Sequence, residues 1–312
     1  MATVNFVIPH LGRIEMLDAT LASILAQSAA EQIAQIIVVT KNSTPLLLPE
    51  HPKLQILYHP EAKTISEQRN IGAALGDSEF LAFLDADIAL APDWLETCLL
   101  LLSSRPELAV VSACQALPAN LGKVEKLRTA LSNADLNCTV SFLPGRNLLL
   151  RRSSHRQVGG FPEQLQTCED YYYTEQLSHL GGLFYTSATC YVHLGEDQSL
   201  RQTFQKEIWR SEYNLKSLQG RTVPLREWPS ILLPFWVLLA MLMLGLSIWQ
   251  PALLLPAAVL AMLPALAYSA RLFMLPGHGL NFGFIFVFYM VYFSARSLGT
   301  LAGIRFLLPG RG

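Results

Sequence analysis

The sequence predicts an α/β protein with a mostly parallel sheet, followed by helices long enough to cross a membrane. Within residues 1–228, apolar runs of five or six residues alternate with segments of helical periodicity. This alternation is typical of a parallel sheet with helices on both faces. Beyond residue 229, charged residues become rare and three long apolar stretches follow. We therefore expect a soluble domain over 1–228 and a membrane domain of two or three helices over 229–312.

The elements of the soluble domain follow from these patterns in chain order. Strands are predicted at residues 4–8, 35–39, 54–58, 80–84, 108–113 and 148–150, with one or two more between 184 and 193. Helices are predicted at residues 14–27, 66–75, from 92 onward, 168–180 and 200–218. Residues 115–141 are polar and carry no pattern that assigns them.

The last predicted helix of the soluble domain, residues 200–218, is amphipathic. Its apolar stripe consists of Phe204, Ile208, Trp209 and Leu215, and basic residues lie between them. We expect this stripe to lie on a membrane surface beside the site where an acceptor enters.

The three apolar stretches are residues 231–249, 252–269 and 282–304, each close to the roughly 20 residues that a membrane-spanning helix needs. Pro251 leaves almost no loop between the first two, which predicts a tight hairpin. The third stretch contains Arg296, so it either crosses the membrane or lies in the interface plane. Two spans are the more conservative prediction.

Composition limits the classes of partner and the compartment. The net charge is −1, which does not indicate a nucleic-acid polymer as partner. The five cysteines are an odd number without Cys-x-x-Cys spacing, so neither a disulfide framework nor a zinc site is expected, and reduced thiols in the cytosol fit best. The N-terminal apolar run is too short for a signal peptide, and none is expected.

Two carboxylates end the most apolar predicted strand. The run 80–84 is followed by Asp85 and Asp87, one residue apart. Ligands bind at the carboxyl ends of strands in α/β sheets, and a pair of carboxylates with phosphate and water is a usual site for Mg²⁺ or Mn²⁺. Taken alone, so common a pair would be interpreted as a solvated turn, so the neighbouring motifs decide between these interpretations.

Four motifs follow one another in an order that resembles the family 2 glycosyltransferases. They are Arg69-Asn70-Ile71-Gly72 ahead of Asp85-Ala86-Asp87, then Gly145-Arg146-Asn147 with Gly159-Gly160-Phe161-Pro162-Glu163, then Glu169-Asp170, and finally His193. The similarity covers most of residues 4–215 and implies the GT-A fold. Each motif alone is weak, whereas their shared order is specific.

The resemblance implies a role for each matching residue. Asp85, Asp87 and His193 would hold a divalent metal ion, Mn²⁺ or Mg²⁺, and Asp170 would be the general base. The donor-binding residues would be Pro9, Thr40, Asn42, Arg69, Asn70 and Asp85, and the acceptor-binding residues would be Gly145, Asn147 and Glu169. Without the flanking motif, Asp170 would be read as an acid favoured at a helix N-terminus, and His193 is equally consistent with an ordinary polar role.

The chain departs from the family pattern in two places. After the second predicted strand, Thr40-Lys41-Asn42 stands where the family usually has an acidic residue that contacts the nucleobase, so the nucleotide is left open. No Gln-x-x-Arg-Trp motif of the processive synthases is evident, since Lys206-Glu207-Ile208-Trp209-Arg210 is only loosely similar. Transfer of a single sugar is therefore expected rather than polymerisation.

The expected function is metal-dependent, inverting transfer of one sugar from a nucleotide-sugar donor to a membrane-associated acceptor hydroxyl on a lipid or terpenoid. The catalytic domain would face the cytoplasm, because nucleotide sugars are cytosolic, and the protein would be a multi-pass membrane protein. A polyprenyl-phosphate sugar synthase is an alternative, in which Arg146, Arg151 or Arg152 would meet the acceptor phosphate. A non-catalytic membrane scaffold with a degenerate transferase domain is the alternative from another class.

Overall fold

A computed structural model of the chain describes residues 2–117, 121–218, 223 and 225–307. The strands are β1 (Val4–His10), β2 (Ile33–Thr40), β3 (Leu54–Tyr58), β4 (Phe80–Leu84), β5 (Ile88–Leu90), β6 (Leu108–Gln115), β7 (Cys138–Val140), β8 (Asn147–Arg151) and β9 (Gly182–His193). The helices are α1 (Ile14–Leu25), α2 (Ile65–Ala73), α3 (Trp94–Ser104), α4 (Lys123–Ser132), α5 (Arg152–Val158), α6 (Glu169–Ser178), α7 (Leu200–Glu212), α8 (Trp228–Leu246), α9 (Leu254–Phe273) and α10 (Phe282–Gly303).

The chain forms two compact units that are interleaved in sequence. One comprises Met1–Pro118 and Asp135–Glu196, and contains the sheet. The other comprises Ala119–Ala134 and Asp197–Gly312, and is helical. The predicted boundary at residue 228 separates a soluble part of the chain from a membrane part, which is a different division from that of the two compact units. It stays a prediction.

The sheet is mixed, with the strand order β3-β2-β1-β4-β8-β6-β9-β5 and β7 paired to β9. The strands β3, β2, β1 and β4 run parallel, as predicted from the alternation of strands and helices. The strand β8 lies between β4 and β6 and is antiparallel to both. This insertion brings the segment just before β8 to the carboxyl end of β4, where Asp85 follows.

Two apolar layers cover the faces of the sheet. The first contains α1 and α3 residues such as Leu17 and Trp94, which pack against β1 residues such as Phe6. The second contains Tyr173 and Leu177 of α6, which pack against Phe83 of β4. All five residues of β4 are buried, which agrees with the prediction of a central strand.

Several elements were not predicted because their sequence signals are weak. The helix α4 is polar and lies in the unassigned segment, and α5 is only seven residues long. The strands β5 and β7 have three residues each, which is too short for a periodicity. Each of these elements is defined by tertiary contacts rather than by its own sequence pattern.

The helical unit shows which residues of the amphipathic helix pack within the protein, and the predicted contact of its apolar stripe with a membrane stays a prediction. The buried residues of α7 are Thr203, Glu207 and Ser211, whereas Trp209 of the predicted apolar stripe is 53% exposed. The reason is close backbone packing, because a Cβ atom at Gly299 of α10 would collide with the carbonyl group of Ile208. The small side chain of Ser211 also lies at this contact.

Among the residues of this unit that the structure describes, three helices are long and apolar enough to cross a membrane: Trp228–Leu246, Pro251–Phe273 and Phe282–Phe306. The hairpin predicted around Pro251 is present, with Trp236 of α8 donating a hydrogen bond to the carbonyl oxygen of Leu260 in α9 at 2.9 Å. The three helices differ in burial. Of the most apolar 18-residue stretch in each helix, 17%, 22% and 44% is buried inside the protein, in chain order.

Candidate active site

The two predicted metal-binding aspartates lie where the chain leaves β4. The backbone N–H of Asp85 donates to the carbonyl oxygen of Arg146 at 3.0 Å, which is the last contact between the ends of β4 and β8. The chain then turns through Asp87 before β5 begins at Ile88 and pairs with β9. Both carboxylates therefore lie in a break between two strands at the edge that normally binds ligands.

Arg69 is the charged centre of this site. Its side chain is almost fully buried, and it donates hydrogen bonds to Asp85 Oδ1 at 2.8 Å and to Glu169 Oε1 at 3.1 Å. A third bond reaches the carbonyl oxygen of Gly145 at 3.2 Å. A Cβ atom at position 145 would come within 2.9 Å of the guanidinium, so glycine is needed for this approach. One cation thus connects α2, β4, α6 and the turn before β8.

The predicted base, Asp170, lies in the first turn of α6, where the helix dipole favours a negative charge. Its Oδ2 atom accepts a hydrogen bond from the N–H of Gly145 at 3.2 Å, and its Oδ1 atom accepts one from the N–H of Tyr171 at 2.8 Å. These bonds fix the carboxylate beside the turn that also contacts Arg69.

The neighbouring Glu169 carboxyl has a raised pKa. Burial disfavours its charged form, and the negative charge of Asp170 adds to the effect, while Arg69 opposes it. Glu169 therefore takes up a proton more readily than an ordinary glutamate, next to the candidate base.

Asp87 and His193 form a second group in the site. The Nε2 atom of His193 lies 3.4 Å from Asp87 Oδ2, and its Nδ1 atom donates to Glu196 Oε2 at 3.0 Å. Burial opposes both charges, yet the mutual hydrogen bond outweighs it, lowering the pKa of Asp87 and raising that of His193. Because a carboxylate only accepts hydrogen bonds, Glu196 places a proton on Nδ1 and directs Nε2 towards Asp87.

The three predicted metal ligands do not form one group, because Asp85 pairs with Arg69 whereas Asp87 pairs with His193. Asp85 is turned to Arg69, and burial raises its pKa against the opposing effect of that cation. Within residues 2–117, 121–218, 223 and 225–307, no three His, Cys, Asp or Glu side chains are grouped to hold a metal ion. Asp87 and His193 do offer an oxygen and a nitrogen at adjacent positions, a donor pair that suits Mn²⁺. The residues therefore fit a cation that takes its other ligands from phosphate and water.

The predicted donor-binding residues near the N-terminus hold two loops together. Pro9 lies in β1 opposite Val39, and Thr40 ends β2. The Thr40 hydroxyl bonds to His10 Nδ1 at 3.0 Å and accepts from the N–H of Asn42 at 3.1 Å. The Asn42 amide oxygen accepts from Gly12 N–H at 2.9 Å. This arrangement shapes the carboxyl ends of β1 and β2, and donor binding by these residues stays a prediction.

Asn70, also predicted to bind the donor, clamps the glycine-rich turn. Its amide donates to the carbonyl oxygen of Phe161 and to Glu163 Oε1, both at 2.9 Å, and accepts from the N–H of Phe161 at 2.8 Å. A Cβ atom at Gly160, whose φ is +83°, would lie 2.8 Å from the Asn70 oxygen. The Arg69-Asn70 motif and the Gly159–Glu163 motif are therefore parts of one packing unit.

Asn147, a predicted acceptor-binding residue, is completely buried in the sheet. Its Oδ1 atom accepts from the indole N–H of Trp94 at 3.1 Å and from the N–H of Ala113 at 2.7 Å. Its amide group donates to the carbonyl oxygen of Ala113 at 3.3 Å. Contact with an acceptor would require the amide to leave these partners.

The structure adds Glu196 and Gln115 to the site and places Arg146, named above for the polyprenyl-phosphate alternative, beside them. Arg146 donates to Gln115 Oε1 at 2.8 Å and lies 3.6 Å from Glu196 Oε2, and Gln115 donates to the same Glu196 oxygen at 3.3 Å. The only sequence signal for Glu196 was an acidic residue three positions after His193. Gln115 had no signal, because its proximity arises from the pairing of β6 with β9.

Part of the chain is similar to a known protein family and to two named relatives. Residues 6–159 match the family model described as glycosyl transferase family 2. Two relatives named pre-mycofactocin glycosyltransferase, from the CDC 1551 / Oshkosh and ATCC 25618 / H37Rv strains of Mycobacterium tuberculosis, are each 30% identical over 129 residues. The match covers 38% of this chain and only 27% of the relatives' length.

A solved structure extends the similarity to the whole chain. The mannosyltransferase PcManGT from Pyrobaculum calidifontis, in complex with GDP-Man and Mn²⁺, is similar with a TM-score of 0.60. The similarity covers 96% of this chain and 86% of that one, at 16% sequence identity. At this level of identity the similarity shows a shared fold, and it confirms the GT-A-type α/β fold predicted from the motifs.

Proposed function

Since residues 6–159 belong to glycosyl transferase family 2, we propose that the chain transfers a single sugar from a nucleotide-sugar donor to a membrane-associated acceptor hydroxyl. The reaction is metal-dependent and inverts the anomeric configuration. The observation that carries this proposal is the convergence on Arg69 of Asp85, Glu169 and the Gly145 turn, with Asp170 bonded to the same turn.

The donor diphosphate is the part of the substrate that needs a cation. Asp87 and His193 are the residues that would hold Mn²⁺ or Mg²⁺, with phosphate oxygens and water as further ligands. Such an ion stabilises negative charge on the leaving phosphate. The structurally similar mannosyltransferase PcManGT is a complex with GDP-Man and Mn²⁺, which supports a nucleotide-sugar donor and a divalent ion for this chain.

The acceptor hydroxyl needs a base. Asp170 takes this role, because its carboxylate is fixed by Gly145 and Tyr171 at the start of α6. Glu169, whose pKa is raised, accepts a hydrogen bond from Arg69, which also bonds to Asp85. Glu169 thereby keeps Asp170 and Asp85 at fixed positions relative to each other. Attack from the face opposite the leaving diphosphate inverts the anomeric centre.

The acceptor belongs to the membrane. The unit that contains the sheet, Met1–Pro118 and Asp135–Glu196, is here called the catalytic unit. Three apolar helices belong to the same chain, and an acceptor hydroxyl on a lipid or terpenoid would explain why a transferase is tethered to a membrane. Because nucleotide sugars are cytosolic, we place the catalytic unit on the cytoplasmic side of a multi-pass membrane protein.

A polyprenyl-phosphate acceptor is less well supported by the arginines. Arg151 donates to the carbonyl oxygens of Leu102 and Leu108, and Arg152 donates to those of Ala73, Leu75 and Ser78. Both side chains are thus engaged at the ends of α3 and α2. Arg146 is the remaining candidate, and it contacts Gln115 and Glu196 within the site.

The test is donor hydrolysis by the full chain in detergent, across a panel of nucleotide sugars, with Mn²⁺, Mg²⁺ or a chelator. Hydrolysis of one donor that needs the metal and is lost in Asp87→Ala supports the proposal. Asp170→Asn then separates the roles, since transfer to a membrane lipid extract should fall far more than donor binding. Full biological activity of Asp170→Asn, or no turnover with any donor and lipid extract, would favour the scaffold.

A further inference from the structure

We propose that α10 does not cross the membrane, and that both of its ends lie on the side from which α8 starts. In this arrangement α8 and α9 are the two spans, and α10 lies in the headgroup layer together with α4 and α7. The inference rests on the proposed membrane attachment and adds the topology of the helical unit. It follows from the contacts of α10 with two charged helices.

The N-terminal half of α10 packs against α4. The ammonium group of Lys123 lies 5.7 Å from the ring centroid of Phe284, and Val124 and Leu127 of α4 belong to the same apolar cluster as Phe288. The beginning of α10 is therefore next to a helix that carries Lys123, Glu125, Lys126 and Arg128.

The C-terminal end of α10 packs against α7. Cβ atoms at Gly299 and Gly303 would collide with the carbonyl groups of Ile208 and Glu212, so the two backbones are in direct contact there. Just beyond this end, Arg305 donates to Glu212 Oε2 at 3.0 Å. The end of α10 is therefore next to a second charged helix.

The helices α4 and α7 are tied to each other by ion pairs. The buried carboxylate of Asp197, just before α7, lies 3.7 Å from Arg128 Nε of α4 and 2.5 Å from Lys206 Nζ of α7. These two helices therefore lie on the same side of any membrane.

The length of α10 makes these contacts decisive. The 20 residues from Phe284 to Gly303 span about 30 Å of helix, close to the thickness of the hydrocarbon core of a bilayer. If α10 crossed the membrane, charged side chains of α4 and α7 would have to lie within the hydrocarbon core, which is strongly unfavourable.

The contacts of α10 with the hairpin agree with this placement. Arg296 donates to Ser230 in the first turn of α8 at 2.8 Å, and Phe282 packs on Phe273 at the end of α9 with ring centroids 5.8 Å apart. Tyr268, near the end of α9, packs on Phe293 at 5.1 Å. These contacts join α10 to the end of the hairpin where α8 starts and α9 stops. The large exposed side chains at the closed end of the hairpin, such as Ile248 and Trp249, then face lipid.

The test is labelling of single cysteines in the full chain by a membrane-impermeant thiol reagent, in oriented vesicles. The reporters are Gln250→Cys in the α8–α9 turn, Met274→Cys after α9, and Arg311→Cys after α10, with the natural, exposed Cys138 marking the side of the catalytic unit. The other natural cysteines are replaced by serine, and donor hydrolysis of each variant verifies that it is folded.

We expect Met274→Cys and Arg311→Cys to be labelled from the same side as Cys138, and Gln250→Cys from the opposite side. Labelling of Arg311→Cys together with Gln250→Cys would overturn the inference and leave the proposed function intact. Labelling of Gln250→Cys from the Cys138 side would show that the hairpin does not cross, which overturns the inference together with the multi-pass assignment. Donor hydrolysis, measured separately, still tests the proposed chemistry.

Discussion

Arg69 and Asp85 are joined by a 2.8 Å ion pair that connects α2 to the end of β4, sixteen positions away along the chain. The guanidinium is buried, and a second carboxylate, Glu169, lies 3.1 Å from it. Because a buried cation needs compensation, this cluster maintains the geometry of the site as well as its charge.

Replacing Arg69 should therefore cost both stability and activity. In Arg69→Met, Asp85 and Glu169 lose their shared cation, and we expect the free energy of unfolding to fall by about 3 kcal/mol. Arg69→Lys keeps the charge but cannot bridge both carboxylates, so hydrolysis of the identified donor should fall while the loss of stability is smaller. Thermal unfolding in detergent and the hydrolysis assay measure the two effects. Full activity in Arg69→Met would contradict the role given to this cluster.

Glu196 should control metal affinity through His193. In Glu196→Ala, the imidazole loses the partner that holds its proton on Nδ1, and loss of such a partner typically weakens metal binding by about 10- to 100-fold. The measurement is titration of Mn²⁺ by electron paramagnetic resonance in the presence of the nucleotide. Glu107→Gln, at an exposed glutamate paired with Arg105, is the control. Unchanged Mn²⁺ affinity in a folded Glu196→Ala protein would leave Glu196 only a structural role beside Arg146.

Asn147 should act on stability rather than on the acceptor. In Asn147→Ala, the indole N–H of Trp94 and both backbone groups of Ala113 lose their partner, and such buried groups cost about 1–3 kcal/mol each. We expect a clear drop in unfolding temperature with little change in the KM for the acceptor. A raised acceptor KM at unchanged stability would instead support the acceptor-binding role predicted from the motif.

Strand positions in the catalytic unit could be predicted because burial on both faces leaves continuous apolar runs, as in Phe80–Leu84. Asp85 and Asp87 could be singled out because they follow an apolar strand, whereas Asp170 and His193 were singled out by the resemblance to the family. What could not be predicted is which of these side chains contact one another. That Asp85 pairs with Arg69 whereas Asp87 pairs with His193 depends on β8 and β9, whose antiparallel pairings bring distant segments together.

The helical unit illustrates a second limit of sequence patterns. The stripe of Phe204, Ile208 and Trp209 predicted a membrane-facing surface of α7, which stays a prediction, but it did not indicate which residues of α7 pack within the unit. Gly299 and Gly303 of α10 permit backbone contact with α7, whose buried residues are Thr203, Glu207 and Ser211.

The stability of the catalytic unit should decrease in acid because of His155. Burial, and then the nearby Arg152 and Arg156, lower the pKa of this histidine to about 4, and its Nδ1 atom bonds to the Tyr173 hydroxyl at 2.7 Å. The unfolded chain binds a proton near pH 6.5, whereas the folded chain does so only near pH 4. The contribution of His155 is therefore complete above pH 6.5 and is lost as the pH falls to 4, by about 3 kcal/mol.

The measurement is the unfolding temperature between pH 7.5 and 4 in wild type and His155→Gln. The variant should be less sensitive to acid across this window, because it has no imidazole to protonate on unfolding. His179→Gln, at an exposed histidine at the end of α6, should follow the wild type. Parallel curves for wild type and His155→Gln would contradict the assignment.

Close contact between α7 and α10 should depend on Gly299. Gly299→Leu places a side chain against the Ile208 carbonyl group and Ser211, so the two helices must separate, and such overpacking costs about 1–3 kcal/mol. Gly245→Leu in α8 is the matched control, because a Cβ atom there meets nothing within 4 Å. Limited proteolysis of α7 in detergent should be faster in Gly299→Leu than in Gly245→Leu, since α7 would lose the backbone contact that covers Thr203, Glu207 and Ser211. Equal protection of α7 in the two variants would show that α7 does not depend on this contact, and the packing described for the helical unit would then be wrong.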